Sequence, residues 1–368
     1  MAASYVESRI VVPFKPTFTD MSLAKTAIAL LSEFNIQILW KVFSKMVYGN
    51  LPELEGSSEN SPFLLNRVKE KILLVPTNLR QNLWEAVERV QEEVHKWMHD
   101  HRYVPGLDHT KFPFFWRSDG TIDRAKTAQD LVGNQTMDIK TRFEIACKYC
   151  LVNSVETLWA ELEAISETEN FETPYNGIVY FWITWMREAS HVPWAQAAHE
   201  YLDPQWFLLG SVPRFTSLFQ ALMPGCRGKF FKYLYLSDDD DIRFCLYTVT
   251  QEEQETIMTL LASRVLGIHM QWPLASLFLE TAEKAWKFLN NSSYFNVLMK
   301  LLSCENVTDI DYEHLAVEFW KHSPCQFKEN AKSSVRVSEK LKFLEERRKK
   351  RKAVDADGGS YKRFKKYV

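Results

Sequence analysis

The sequence predicts an all-α fold, and three observations lead to this prediction. Glycine is scarce, at 12 of 368 residues, which is less than half of its usual share of about 7%. Several segments repeat apolar residues with the helical period. Aromatic residues make up 14% of the chain, and large rings fill the space between packed helices well. We expect an irregular, solenoid-like stack of antiparallel helical hairpins, followed by a disordered basic C-terminal tail.

Apolar stripes with the helical period place four of the helices. The first stripe, residues 65–75, follows Ser61-Pro62 and stops at Pro76, which are typical start and stop signals. The other three stripes cover residues 79–101, with Asn78 as the expected cap, 257–268 and 274–289.

The clearest helical pattern lies in residues 141–165. Phe143, Ala146, Cys147 and Cys150 fall on one face, and the period resumes after Asn153-Ser154. We expect two short helices that meet at this polar pair and form a helical hairpin. Neither helix can bury its stripe alone, so the pattern predicts further helices packed on both.

A resemblance to known proteins involves the same region. The segments RFEIACKYCLVNSVETLWAEL (142–162) and WRSDGTIDRAKTAQDLV (116–132) resemble a family of uncharacterised helical proteins from arthropods. The resemblance covers about a fifth of the chain. It implies an α-helical fold, and it implies no activity and no functional residues.

Changes of composition along the chain predict its domain organisation. We expect an N-terminal extension at 1–18, a helical bundle at 19–110, a helical-hairpin array at 111–326 and a basic tail at 327–368. Apolar residues thin out from Phe327, so we expect order to end about there. Residues 338–344 retain a pattern that can carry a helix into the basic run.

Residues 102–120 form a long loop between the bundle and the array. The loop is rich in proline, glycine and aromatic residues, and loops of this length are often packed by their own side chains or functional. We expect it to pack on the body. Phe114, Phe115 and Trp116 are either buried there or form a surface for a partner.

The composition also predicts a compartment. The first residues contain no apolar run of signal-peptide length, and the longest apolar stretch, residues 175–186, has 12 residues, whereas a bilayer requires about 20. The six cysteines lack the spacing of a disulfide framework and are typical of reduced thiols. We expect an intracellular, soluble protein with no membrane partner.

Two motifs have the spacing of metal ligands. Cys147 and Cys150 form a C-x-x-C, but they lie on an apolar stripe with no second ligand pair nearby, so core packing is favoured over a metal or redox site. His95 and His99 are four residues apart on one helix. A metalloprotease has glutamate after the first histidine, and Lys96 stands there instead, so we interpret the pair as a polar helix flank.

Two further motifs are weighed in the same way. Asp238 to Asp241 are four consecutive aspartates after Ser237, which indicates a helix start more than a cation loop. The stretch GCRGK at 225–229 has too short a spacer for a phosphate loop, and Phe230 replaces the hydroxyl residue. No catalytic motif fits, so we expect no enzymatic activity, no cofactor and no metal. An enzyme built around His95 and His99 is the third hypothesis.

The charge of the chain is concentrated at its C-terminal end. From Glu339 onward there are twelve Lys and Arg against five Asp and Glu, a net charge of +7; because the whole chain carries −2, residues 1–338 carry −9. The cations form two groups. The first basic cluster is Arg347, Arg348, Lys349, Lys350, Arg351 and Lys352, and the second basic cluster is Lys362, Arg363, Lys365 and Lys366.

These clusters lead to two main hypotheses. The spacing resembles a bipartite nuclear-import signal, so the first hypothesis is a non-catalytic interaction or adaptor protein. The tail would bind an import receptor, the body would bind an unidentified protein partner, and the location would be the nucleus, or the cytoplasm if the tail is no import signal. The second hypothesis is a nuclear nucleic-acid-associated protein that contacts phosphates through the tail only. The alternative to both hypotheses is a tail that increases solubility and has no binding function.

Overall fold

The computed structural model describes residues 9–48, 62–101, 114–171, 176–189, 191–210, 212–303 and 312–356. Within these ranges the chain is helical, and the single extended pairing is an antiparallel bridge between Trp116 and Ile122. The all-α prediction is therefore confirmed. None of the described helices has the length and apolar content that a membrane span requires.

The chain forms two compact units, Met1–Leu260 and Leu261–Val368. The boundary predicted after residue 110 falls inside the first unit, where buried ion pairs join residues from both sides of it. The described helices of the first unit are α1 (Phe18–Glu33), α2 (Ile36–Tyr48), α3 (Pro62–Leu73), α4 (Arg80–Asp100), α5 (Arg124–Gly133), α6 (Ile139–Lys148), α7 (Val152–Ala164), α8 (Gly177–Thr184), α9 (Trp194–Glu200), α10 (Phe215–Ala221) and α11 (Asp239–Thr248).

Helix α12 (Gln251–His269) begins in the first unit and ends in the second. Its backbone leaves helical geometry at Leu261, where φ is −131°, so the kink coincides with the unit boundary. The described helices that follow are α13 (Phe278–Ala285), α14 (Asn291–Ser303), α15 (Tyr312–His322), α16 (Cys325–Lys332) and α17 (Val335–Ala356).

Helix α1 packs along α4 in the first unit. Leu23, Ala27 and Leu30 of α1 are buried at helical spacing, and burial of each large apolar side chain stabilises the fold by about 1.5–3 kcal/mol. Thr17 and Asp20 form a reciprocal capping box at the start of α1. The predicted cap of α4 by Asn78 is wrong, because a 3₁₀ turn runs directly into the helix and leaves Leu79 at the cap position without a side-chain bond.

Helices α6 and α7 form the predicted hairpin, but they meet at Tyr149–Leu151 instead of Asn153-Ser154. The N–H of Leu151 donates to the carbonyl of Ala146 at 2.9 Å, which closes α6 in the manner of a Schellman motif. Cys150 adopts φ +53° there. Asn153 and Ser154 lie inside the first turn of α7, so the polar pair does not mark the joint.

Within the range predicted as an N-terminal extension, 1–18, the residues described before α1 are 9–17, and they pack on the first unit. Ile10 and Val11 are buried, and the side-chain amide of Gln254 on α12 accepts from both of their N–H groups at 3.1 and 3.2 Å. The same amide donates to the carbonyls of Val11 and Leu246. Arg9 donates to the carbonyls of Leu246 and Val249, each at 2.9 Å. This N-terminal strand-like segment therefore closes the end of α11.

The second unit is built around a stack of rings. Tyr294 of α14 lies parallel to Phe327 of α16 with ring centroids 4.8 Å apart, and parallel to Phe319 of α15 at 5.4 Å. The Tyr294 hydroxyl donates to Ser323 Oγ at 3.0 Å. Because Phe327 is a member of this core, the expectation that order ends about there is wrong. The predicted helical continuation into the basic run is confirmed, since α17 extends to Ala356.

Replacement of Gln254 by leucine tests how strongly the N-terminal segment is held. Leucine keeps the buried volume but removes the partner of three backbone groups, the N–H of Ile10 and the N–H and carbonyl of Val11, while the Leu246 carbonyl keeps Arg9. Each buried unsatisfied group costs about 1–3 kcal/mol. We expect Gln254→Leu to lower the free energy of unfolding by about 3 kcal/mol or more in urea denaturation. The exposed Gln251 of the same helix provides the control, and equal effects of Gln251→Leu and Gln254→Leu would contradict the assignment.

Candidate functional site

The interior of the first unit contains a set of charged side chains that come from three helices, the loop before α5 and the cap of α10. Helix α4 contributes Arg89 and Glu93, α5 contributes Arg124, and α11 contributes acids and Arg243. Each arginine of the set is less than a tenth exposed. We call this set the ion cluster; it consists of Arg89, Glu93, Asp119, Arg124, Arg214, Asp238, Asp240, Asp241 and Arg243.

Asp240 occupies the centre of the ion cluster and is 2% exposed. Arg89 Nη2 lies 3.1 Å from its Oδ1, and Arg243 Nη2 lies 3.4 Å from the same oxygen. Arg243 also pairs with Asp119 at 3.0 Å. Burial opposes ionisation of Asp240, but Arg89 and Arg243 outweigh it and hold its pKa well below the ordinary value. The carboxylate therefore stays charged in the interior.

Glu93 faces the same arginine and is fully buried. Arg89 Nη2 lies 3.0 Å from Glu93 Oε1, and the same guanidinium pairs with Asp240. Burial first, and the charge of Asp240 second, raise the pKa of Glu93 to about 8. Two neighbouring carboxyls cannot both ionise at low cost, so Glu93 is protonated at neutral pH.

Asp238 and Asp241 connect α11 to α10. Asp238 caps α11 by accepting from the N–H of Asp241 at 2.8 Å, and Asp241 accepts from the N–H groups of Phe215 and Thr216, each at 2.8 Å, at the start of α10. Arg214 pairs with both aspartates. Each helix therefore begins on a carboxylate, and one guanidinium contacts both carboxylates.

A group of rings lies at the C-terminal end of α4. His101 stacks on Trp97 with centroids 3.9 Å apart; its Nδ1 is 2.8 Å from the Trp97 carbonyl oxygen and its Nε2 is 3.3 Å from the Tyr149 hydroxyl. Burial, helped by the charge of Lys148, lowers the pKa of His101 to about 3. The imidazole is neutral and both of its nitrogens have hydrogen-bond partners, so His101 has a structural role.

The predicted helix start at the four aspartates is confirmed, because Asp238 is the N-cap and the next three aspartates form the first turn of α11. Sequence reasoning missed that Asp240 and Asp241 are buried and ion-paired. One signal was present: Arg89 and Glu93 interrupt the apolar stripe of α4 at i, i+4 spacing, which indicates a charged pair on the buried face. The partners of that pair come from residues about 150 positions away, which no local pattern reveals.

The cysteine and histidine motifs contribute no residue to the ion cluster. Cys147 is fully buried, and burial raises the pKa of the Cys147 and Cys150 thiols, as expected for core residues. His95 and His99 are exposed on α4, where His95 contacts Gln91 at 2.8 Å. Within the described ranges, no group of three or more His, Cys, Asp or Glu residues is arranged to hold a metal ion.

Residues 114–120, the described part of the long loop, and the GCRGK stretch also pack within the first unit. Phe114 and Trp116 are half-buried; Phe114 makes edge contacts with Trp97 at 6.1 Å and with Trp116 at 5.8 Å, as predicted for a packed loop. Residues 102–113 lie outside the described residues. Arg227 pairs with Glu253 at 3.3 Å, and Lys229 Nζ donates to the carbonyl of Leu202 at 2.9 Å, so these cations have partners within the chain.

The first basic cluster lies in the second half of α17. The first half of α17 packs on α14, α15 and α16, with Val337 and Leu341 buried. Lys340 Nζ donates to the Leu302 carbonyl at 2.7 Å, near the C-terminal end of α14, where a cation is favoured. The first basic cluster thus continues a helix that the second unit anchors. The second basic cluster, Lys362 to Lys366, lies outside the described residues.

No protein-family model, curated protein or solved structure matches the chain. The resemblance to the arthropod family therefore stays a prediction, and the proposals below depend on the residues described above.

Asp239 and Asp240 form a matched pair for mutagenesis. Asp240→Asn removes the charge between Arg89 and Arg243, and the loss of one partner of a buried ion pair costs about 3–5 kcal/mol. Asp239 is only half-buried in the same turn, so Asp239→Asn should cost less, about 1 kcal/mol, because interactions of a partly exposed carboxylate are weakened by solvent. Urea denaturation at pH 7 measures both. Similar losses for the two variants would show that the ion cluster does not hold α11.

The pH dependence of stability tests the protonation of Glu93. A carboxyl whose pKa rises on folding stabilises the fold fully below its unfolded-state value of 4.5, and this contribution is lost as the pH rises through the folded-state value of about 8. Glu93→Gln mimics the protonated form. The quantity to follow is the difference in free energy of unfolding between Glu93→Gln and the natural chain. We expect this difference to increase in favour of Glu93→Gln by several kcal/mol between pH 5 and 8, since each pKa unit corresponds to about 1.4 kcal/mol.

The exposed Glu70 provides the control for this measurement. Glu70→Gln should leave the pH profile of stability unchanged between pH 5 and 8. If the stability of Glu93→Gln changed with pH in the same way as that of the natural chain, Glu93 would be ionised in the folded chain.

Proposed function

We propose that this protein is a non-catalytic intracellular interaction protein that enters the nucleus through its basic C-terminal region. The first and second basic clusters bind an acidic groove of an import receptor, and the helical body binds a further protein partner. The observation that carries this proposal is the position of the first basic cluster at the end of a helix whose other half is packed into the second unit.

The engagement of the buried titratable groups supports a non-catalytic role. A general base needs a pKa near the working pH and access to a substrate. His101 is neutral and bonded at both nitrogens, while Asp240 is occupied by two arginines. The buried Cys147 keeps its proton because burial raises its pKa. These groups stabilise the helix packing, and stable packing provides a rigid surface for a partner.

The distribution of charge supports an acidic partner for the tail. In the ion cluster, a guanidinium nitrogen of each arginine lies within 3.4 Å of a carboxyl oxygen. The first basic cluster has six consecutive cations, followed by a single acid, Asp355, before the helix ends. So high a density of one sign repels itself unless counterions or an anionic partner are near. An acidic groove on another protein meets this requirement.

Neutralisation of the first basic cluster tests the proposal in cells. The full chain, fused to two copies of a fluorescent protein so that passive entry is slow, should accumulate in the nucleus. Replacement of Arg347, Arg348, Lys349, Lys350, Arg351 and Lys352 by glutamine keeps good helix formers at each position and should leave most of the fusion in the cytoplasm. The nuclear-to-cytoplasmic fluorescence ratio measures the effect.

The matched control removes the same number of charges elsewhere. Glutamine replaces six exposed lysines of the described surface, Lys25, Lys45, Lys69, Lys232, Lys287 and Lys332, and this variant should enter the nucleus like the natural chain. If the full chain is evenly distributed, or if both variants lose nuclear accumulation equally, the proposal fails.

A further inference from the structure

We propose that the part of α17 that carries the first basic cluster binds the major groove of B-form DNA through its phosphates, without reading sequence. The inference shares one premise with the proposed function, namely that α17 is a binding element. It goes further by assigning a nucleic acid as a ligand of that helix.

The density of charge on α17 matches that of a DNA duplex. The first basic cluster has six residues in a continuous helix, which cover about 9 Å of its axis at 1.5 Å per residue. A DNA duplex carries one negative charge per about 1.7 Å of its axis, so the same length presents about five phosphates. The two charge densities agree to within one charge.

The helical backbone favours a ligand that surrounds the segment. Successive residues of an α-helix are about 100° apart, so six consecutive positions go around the whole circumference. A flat acidic surface faces only one side of such a helix. The major groove of B-form DNA is about 12 Å wide, admits an α-helix and has phosphates on both walls. The major groove of A-form RNA is too narrow for side chains to reach, which favours DNA over duplex RNA.

The division of the chain separates the acidic excess from the unit that contains α17. Residues 1–260 carry a net charge of −9, residues 261–338 carry eight cations and eight acids, and residues 339–368 carry +7. The acidic excess that repels a polyanion therefore belongs entirely to the first unit. The second unit, which anchors α17, is neutral before the tail and strongly positive with it.

The helix exists without DNA because its sequence favours it. Glu345 and Glu346 precede Lys349 and Lys350 by four residues, the spacing at which glutamate and lysine stabilise a helix. Cations near the C-terminal end also interact favourably with the helix dipole. A preformed helix loses less conformational entropy on binding than a disordered arm does.

Fluorescence anisotropy of the purified full chain with a labelled 20-base-pair DNA duplex tests the proposal. If four to six phosphates are neutralised, the affinity should fall by about 150-fold to about 2,000-fold between 50 and 200 mM salt. The six-glutamine variant of the first basic cluster should lose binding at 50 mM salt. The variant with six exposed lysines replaced, described under Proposed function, should bind like the natural chain.

Two substitutions of Lys349 distinguish the contribution of the helix to DNA affinity from that of the charge. Lys349→Gln and Lys349→Pro remove the same charge, but proline breaks a helix interior. We expect Lys349→Pro to bind the duplex at least tenfold more weakly than Lys349→Gln, and circular dichroism confirms that the body of the protein is folded in both variants. Equal affinities would show that the helix is not used and would overturn the proposal.

Competing polyanions test the class of ligand. Duplex RNA of the same length should compete at least tenfold less well than duplex DNA, and polyglutamate should compete more weakly still. Equal competition by duplex RNA or by polyglutamate would overturn the proposal, as would no DNA binding at 50 mM salt. Nuclear accumulation in the cell assay without DNA binding leaves the proposed function intact, and DNA binding by a chain that stays in the cytoplasm refutes the proposed function alone.

Discussion

Asp240 stays ionised inside the first unit because Arg89 and Arg243 contact its carboxylate. Removing a charge from water costs several kcal/mol, and the cost is recovered only when the geometry of the pair is good and the remaining polar atoms have partners. This requirement determines where α4 and α11 can lie, since either helix alone would bury an uncompensated charge. The protonated Glu93 lies beside the same guanidinium without adding a negative charge to the ion cluster.

The same constraint extends to the elements around the ion cluster. Asp238 and Asp241 accept the first hydrogen bonds of α11 and α10, and Arg214 pairs with both carboxylates. The capping bonds are therefore also the ends of ion pairs, so a change in one helix is transmitted to the other through a shared side chain. The N-terminal segment holds the opposite end of α11 through Arg9 and Gln254. Helix α11 is thus fixed at both ends.

The second unit is stabilised differently. Its core depends on the rings of Tyr294, Phe319 and Phe327, which contribute buried area and stacking with few charges. This core extends to α16 and to the first half of α17, and it gives the basic residues a helix with an anchored base. The charges of the ion cluster are paired inside the first unit, whereas the first basic cluster is six consecutive cations at the end of a helix. This contrast is the physical basis of both functional proposals.

The sequence alone determined the fold class, the hairpin of α6 and α7, and the helix start at Asp238, because periodicity and capping are local properties. It also located the first basic cluster, which is visible as composition. The tertiary structure decided that Asp240 is buried between Arg89 and Arg243, that Ile10 and Val11 pack under Gln254, and that Phe327 belongs to a core. These facts depend on residues far apart in the chain, and whether a charge or a ring is buried is set by what folds against it.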